Sequence, residues 1–328
     1  MIERAIPLAE VLGPGAVVTL LTPIDPQTTR FNLGIRSMAA GLSVRMTRRA
    51  ADGRVLATTT RELPPSTLIH EPLVSGSSDA LTFEVLTGAG VIYGAATDNG
   101  TNDPNLQLAT RAASGRFVLP VAGSVDGAFG SRFATGLQLH NPGAEAQNVV
   151  LTFGARSVQV PIAARSTFAS NDVIAFLGAT GIGSLDIAAS APVAGVARIY
   201  SIVPAGETSL MTELVPVDRA LQRGETGVLV APHLPRDMRF NIGWRAFEAG
   251  ANLTVTIRSA AGEVIKTTAL HLPPTAFAQS EASALLGIPF NGDESIAFTV
   301  EEGSAIVYGT WTDNITQDPA LQYAVRGR

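Results

Sequence analysis

Arg30-Phe31-Asn32-Leu33-Gly34-Ile35-Arg36 returns as Arg239-Phe240-Asn241-Ile242-Gly243-Trp244-Arg245, and a weaker version, Arg132-Phe133-Ala134-Thr135-Gly136-Leu137-Gln138, lies between them. Phe31, Leu33 and Ile35 alternate with Asn32, Gly34 and Arg36. Period two marks a strand with one buried face, because successive side chains point to opposite sides. The inward set is again apolar in the third copy, so Trp244, in the place of Ile35, reads as core. Self-similarity of this kind makes the chain three variants of one unit. Each unit has the size of a compact domain with its own core, not of a solenoid repeat.

The match extends outward from that strand. A constant offset carries Leu63-Pro64-Pro65 onto Leu272-Pro273-Pro274. After a short insertion, a second offset carries Val91-Ile92-Tyr93-Gly94 onto Ile306-Val307-Tyr308-Gly309. The same offset carries Asp98-Asn99 onto Asp313-Asn314 and Asp103-Pro104 onto Asp318-Pro319. Small, polar stretches near Ala112-Ala113-Ser114-Gly115 and from Arg219 to Gly224 place the unit boundaries, giving residues 1–114, 115–222 and 223–328, the middle unit being the most divergent.

Strand patterns fill each unit. Leu253, Val255 and Ile257 alternate with Thr254, Thr256 and Arg258, and a glycine turn at Ala260-Ala261-Gly262-Glu263 leads back into Val264 and Ile265. The first copy turns at Ala51-Asp52-Gly53-Arg54, where Asp-Gly between apolar runs signals a hairpin. In the middle copy Val149, Leu151 and Phe153 pair with Val158 and Val160 across Gly154-Ala155-Arg156. The Leu-Pro-Pro steps end strands, since proline cannot donate to a ladder. Ser280 to Gly287 and Asn171 to Gly178 open on capping residues and close on glycine, predicting short helices in the second and third units. The first unit, with His70-Glu71-Pro72 there, is expected to lack one. A final hairpin is expected over Ala80 to Leu86 and Val91 to Thr97, turning at Gly88-Ala89-Gly90. The fold expected is all-β, three tandem antiparallel β-sandwiches.

Composition removes several function classes. Charged residues are 16% against about 25% in ordinary domains, and the net charge is -5, without the basic face of a nucleic-acid binder. Every basic residue except Lys266 is arginine. With no cysteine, disulfides, thiolate metal sites and thiol catalysis are excluded. No stretch approaches the roughly 18 apolar residues of a membrane span, and the opening residues do not spell a signal peptide.

The run Asn-x-Gly-x-Arg, the glycine turn, Leu-Pro-Pro, the short Leu-Leu-Gly helix and the closing Asp-Asn-x-Thr-x-Asp-Pro resemble the immunoglobulin-like repeats found in tandem in bacterial exported and cell-surface proteins. The resemblance covers essentially the whole chain. It implies an extracellular or cell-envelope location and an accessory role, and it brings no catalytic residues. The middle copy departs from it, with Tyr200-Ser201-Ile202-Val203 where the others have the Asp-Asn motif.

Candidate chemistry is sparse. His70, His140, His233 and His271 show no metal-ligand spacing and read as exposed polar residues. No Gly-x-Ser-x-Gly elbow exists, and Gly178-Ala179-Thr180-Gly181-Ile182-Gly183 is in the wrong order for a dinucleotide loop and reads as a turn. The segments Asp98 to Pro104 and Asp313 to Pro319 hold carboxylate, amide and hydroxyl oxygens that could ligate calcium. Turn chemistry, with Asp and Asn bonding their own backbone, is the favoured reading. Trp311, matched by position with Ala96 and Arg198, reads as an exposed contact residue or one partly covered by a neighbouring unit.

These observations point to a non-enzymatic exported module, a spacer or an adhesion-type protein, with no catalytic, cofactor or metal site. It is expected to be a monomer with an unidentified protein or glycan partner, no nucleic acid and no membrane insertion. A carbohydrate- or surface-ligand-binding module is the first alternative. The second is a hydrolase whose paired carboxylates meet between units.

Overall fold

The computed structural model describes residues 6–203, 206–233 and 236–326. It is all-β, with three antiparallel sheet systems, one per repeat, and none closes into a barrel. In the first unit the strands are β1 (Val17–Leu21), β2 (Thr29–Arg49), β3 (Val55–Leu63), β4 (Leu68–Pro72), β5 (Ala80–Asp98) and β6 (Pro104–Leu108). The opening motif is the first part of β2, which does not stop at Arg36 but runs on to Arg49. β2 and β5 pair along their whole length. β4 and β6 flank one half of that ribbon, and β3 and β1 flank the other. The ribbon folds over on itself, so each long strand serves both layers. Phe31, Leu33 and Ile35 from one half meet Val44, Met46, Leu81 and Phe83 from the other in a single core.

The fold-over corrects one expectation. Gly88-Ala89-Gly90 is not a hairpin turn but a bend inside the continuous strand β5. Pairing passes from Ser37–Gly90 directly to Leu42–Gly88, with the extra residues of β2 bulged out. Gly41 and Gly88 take φ of 76° and 73°, which side chains disfavour. They lie so close that a Cβ on Gly88 would sit 2.1 Å from the Gly41 carbonyl oxygen. A bulge of this kind bends a strand without ending it.

The motif glycine has a packing reason. Gly34 pairs with Tyr93, and a Cβ there would fall 2.0 Å from the tyrosine Cζ, so the ring lies flat over the backbone. Gly243 and Tyr308 repeat this arrangement at 2.2 Å. The middle copy has Arg198 opposite Gly136 and loses the ring.

The second unit contains β7 (Ser114–Asp126), β8 (Arg132–His140), β9 (Gln147–Phe153), β10 (Arg156–Ile162), β11 (Thr167–Ser170), α1 (Val173–Phe176), β12 (Gly181–Val203), β13 (Gly206–Glu213) and the two-residue β14 (Val215–Pro216). Its counterpart of β2 is broken, β8 ending at His140 and β9 resuming at Gln147 beyond the Asn141-Pro142-Gly143 loop, while β12 stays continuous. The third unit contains β15 (Leu221–Gln222), β16 (Thr226–Val230), β17 (Met238–Arg258), β18 (Val264–Leu272), β19 (Phe277–Glu281), α2 (Ala282–Leu286), β20 (Ser295–Asp313), β21 (Pro319–Tyr323) and β22 (Val325–Arg326). It repeats the bent ribbon, with Gly250 and Gly303 at the fold.

The helices stand where the sequence placed them, in the second and third units. Their caps lie one residue later than Asn171 and Ser280. Asp172 accepts from the Ala175 N–H, and the Glu281 carboxylate accepts from the Ser283 and Ala284 N–H groups. The proline steps end β3 and β18 as expected. They turn through positive φ at Ser66 and Thr275, as the middle unit does at Arg165 after Ala163-Ala164, and these residues donate their N–H groups to the carbonyls of Met38, Phe247 and Gly143.

Three separate cores form, one per unit. No helix among the described residues is long and apolar enough to cross a membrane.

Candidate functional site

The units are joined through one recurring sheet face. In the register of the long strands Arg36, Gln138 and Arg245 are equivalent, each paired with Val91, Val196 or Ile306. Arg36 is exposed. Gln138 is buried and donates from Nε2 to the Thr22 carbonyl of the first unit at 2.9 Å. Arg245 is buried and pairs with Asp186 of the second unit at 2.7 Å. Apolar residues follow suit. Val196, 4% exposed, packs with Leu21 and Ala80, and Ile306, 5% exposed, packs with Val118, Val215 and Ala220. The second and third units therefore bury the same face against the unit before them. In the first unit that face, with Arg36, Leu68, His70 and Tyr93, stays largely open.

The closing turns of the three units also meet. Thr101 donates to the Glu207 carbonyl at 2.6 Å, and Thr208 donates to the Gln317 carbonyl at 3.2 Å. Asp103 accepts from the Ser209 N–H at 2.6 Å. β13 thus lies between the Asp98–Pro104 turn and the Asp313–Pro319 turn.

Inside those turns the aspartates satisfy their own backbone. Asp98 Oδ1 accepts from the N–H groups of Gly100 and Thr101 and from the Thr101 hydroxyl, and Asp313 Oδ1 does the same with Ile315 and Thr316. This is Asx-turn chemistry. Among the described residues no three acidic or histidine side chains gather as a metal ion would require.

Folding does bring two distant carboxylates together, Asp103 and Asp318. Burial, then the charge of Asp103, raises Asp318 to about 6. Neither residue lines either of the two clefts described below. Because the native state holds the proton more tightly than the unfolded chain, ionised Asp318 opposes folding. The penalty is absent below 3.8 and complete above about 6. Asp318→Asn is expected to raise Tm at pH 7 and to lose that advantage as pH falls to 3.8. Melts across this range test it, and an unchanged or lowered Tm at pH 7 counts against it.

Two sequence expectations are corrected here. Trp311 is not exposed. It is 8% accessible and packs edge-on against Phe240, with centroids 5.9 Å apart, inside the third core. The register pairs Phe31 with Ala96, Phe240 with Trp311 and Phe133 with Ser201, so the middle counterpart is the buried Ser201, not Arg198. His140 is likewise buried, at 1% exposure, with Nδ1 3.1 Å from the Thr167 hydroxyl. The other three histidines are exposed or nearly so. His70 stacks on Tyr93, His233 pairs with Asp293 and His271 lies against Asn252. Gly178 closes α1, and Gly181 and Gly183 begin β12.

Two clefts open between the first and second units. The smaller, about 120 Å³, has charges that answer one another, with Arg198 paired to Glu207 at 2.7 Å and Asp98 held in its turn. The larger, about 560 Å³, is walled by Arg49, Arg111, Arg165 and His140. No local motif marked these residues, because they come from four separate stretches that only the docking of the units assembles.

No known family and no curated protein matches the chain. Among solved structures, an anti-sigma factor domain-containing protein aligns at 10% identity and a TM-score of 0.19, over 94% of this chain and 81% of that one. Dimeric latent PorU from Porphyromonas gingivalis aligns at 10% identity and a TM-score of 0.16, over 96% of this chain and 32% of its own length.

Proposed function

We propose that the protein is a non-enzymatic structural and interaction module, exported to the cell surface or envelope, whose three sandwiches act as one stiff arm. The carrying observation is the face that the second and third units each bury against their predecessor. Two apolar clusters, the Gln138–Thr22 hydrogen bond and the Arg245–Asp186 pair hold the units at fixed angles. A stiff arm presents its surfaces at set positions without the entropic cost of ordering a chain of loose beads on binding. The open face of the first unit, with Arg36, His70 and Tyr93, is the surface offered to a protein partner. The export reading rests on the repeat resemblance. In solution the arm is a monomer.

Small-angle scattering tests the stiffness. The native chain is expected to scatter as one rigid particle, and Ile306→Asp, which puts a charge into the junction between the second and third units, is expected to broaden its distance distribution. Independent motion of the units in the unaltered chain would overturn the proposal.

A ligand-binding module is the second reading, and the larger cleft is the observation that favours it.

A further inference from the structure

The larger cleft lies where the docked units meet, and its floor is unusual. Across the first sheet, register pairs place Thr58 beside Thr47, Thr47 beside Thr82, Thr82 beside Thr19, and Thr19 beside Thr110. Five adjacent strands or segments thus contribute one row of threonines, three of which, Thr19, Thr47 and Thr82, line the cavity. Hydroxyls in such a row can donate or accept as a ligand requires.

Above the row stand three arginines without a counter-ion among the described residues. Arg49 donates to the Gly53 carbonyl, and Arg165 to the Pro142 carbonyl. Arg111 is exposed and makes neither an ion pair nor a hydrogen bond with a described residue. None of the three meets the carboxylate of a described residue, and no described acidic residue lines the cavity. Elsewhere arginines find acids readily, as Arg48–Asp79, Arg61–Glu71 and Arg198–Glu207 show. His140 sits among them, its Nδ1 3.1 Å from the Thr167 hydroxyl. Burial, then the charges of Arg49 and Arg165, lowers it to about 4, so it is neutral at pH 7.

Like charges held close in a concave, partly dry site concentrate a positive field. The guanidinium fork is suited to a carboxylate or phosphate in two-point contact. The volume is that of a small-molecule site, about 300–1,000 Å³ in general. We propose that this cleft binds a small polyhydroxylated molecule bearing an oxyanion, the arginines holding the anionic group and the threonine row its hydroxyls. The anion source is a carboxylate, as in a uronic acid, or a phosphoryl group, as in a sugar phosphate.

Calorimetric titration of the full chain with glucuronate, glucose 6-phosphate and uncharged glucose tests the proposal. Binding of at least one charged sugar is expected, weakening as salt rises, with no binding of glucose. Whichever charged sugar binds more tightly identifies the anion source. Arg111→Ala is expected to weaken binding about tenfold or more, the order of one lost charge-assisted hydrogen bond, without changing Tm because Arg111 has no partner among the described residues. Arg165→Lys, which keeps charge but loses the fork, is expected to weaken it less than Arg165→Ala. Bound anion is also expected to raise the titration midpoint of His140 seen by NMR. Failure of both charged sugars to bind at millimolar concentration, or unchanged affinity in a folded Arg111→Glu variant, would overturn the site. Neither result bears on the stiffness of the arm, which scattering reads separately.

Discussion

Gly88→Ala is expected to unfold the first sandwich under conditions in which the native chain is folded. Two costs add at this position. The backbone φ is 73°, where an L side chain carries about 1–2 kcal/mol of strain. The new methyl would also sit 2.1 Å from the Gly41 carbonyl oxygen, which is held by the next residue, Leu42, paired on both sides with Gly88 and Leu63. Together they exceed about 3 kcal/mol, a large share of the stability of a domain this size. Gly303→Ala should do the same to the third unit, since its Cβ would meet the Gly250 carbonyl at 2.0 Å. Gly154 supplies the control. Its φ is 55° and nothing lies within 4 Å, so Gly154→Ala carries the strain of about 1–2 kcal/mol and no clash. Denaturant melts that rank Gly88→Ala no worse than Gly154→Ala would refute the bent-ribbon account.

Trp311→Ala is expected to cost about 3–5 kcal/mol, the range for deleting a large buried aromatic ring. The indole lies between Phe240 and the rest of the third core, and Phe240 in turn meets Phe290 edge-on at 5.5 Å. Its removal leaves a cavity in a β framework that cannot collapse easily, because the flanking strands are tied into the ladder. The loss should appear in urea or thermal unfolding of the third unit. A variant as stable as the parent would mean that the ring is not core. Glycan binding through Trp311 is not expected, since the ring presents almost no surface.

Much of the fold was legible in the sequence. Alternation in Arg30 to Arg36 identified a strand and its inward residues, and the repeats multiplied that inference by three. Capping residues before Val173 and Ala282 and glycines after them located both helices. Gly88-Ala89-Gly90 was misread because glycine with positive φ serves turns and bulges alike. What separates them is a matching bulge on the partner strand, here ending at Gly41, and no local pattern reveals which strand that partner is. Trp311 was misread through a register slip, Arg198 standing where Ser201 belongs. A slip of three residues, being odd, moves a side chain to the other face of the sheet.

The candidate site was less legible for a different reason. Arg49, Arg111, Arg165 and His140 belong to no common motif, and their proximity arises only from the docking of two units. Arg245 carried a faint signal, the change from Arg36 to Gln138 to Arg245 at one position. Conserved apolar neighbours with a varying polar group is what a face produces when each copy must answer a different surface.

That arrangement also has a direction. Each later unit lays its strand face on the unit made before it, and covers that unit's Leu21 or Val118 in return. During synthesis the cover is complete before the surface it protects leaves the ribosome, so Val196 and Ile306 find Leu21 and Val118 already in place. Loss of either end therefore exposes the junction it breaks. A chain that loses its third unit uncovers Val118, and one that loses its first uncovers Val196, each an apolar surface of the kind that recruits other chains. The order of synthesis thus gives each new face a surface to land on, while the finished junctions protect both sides.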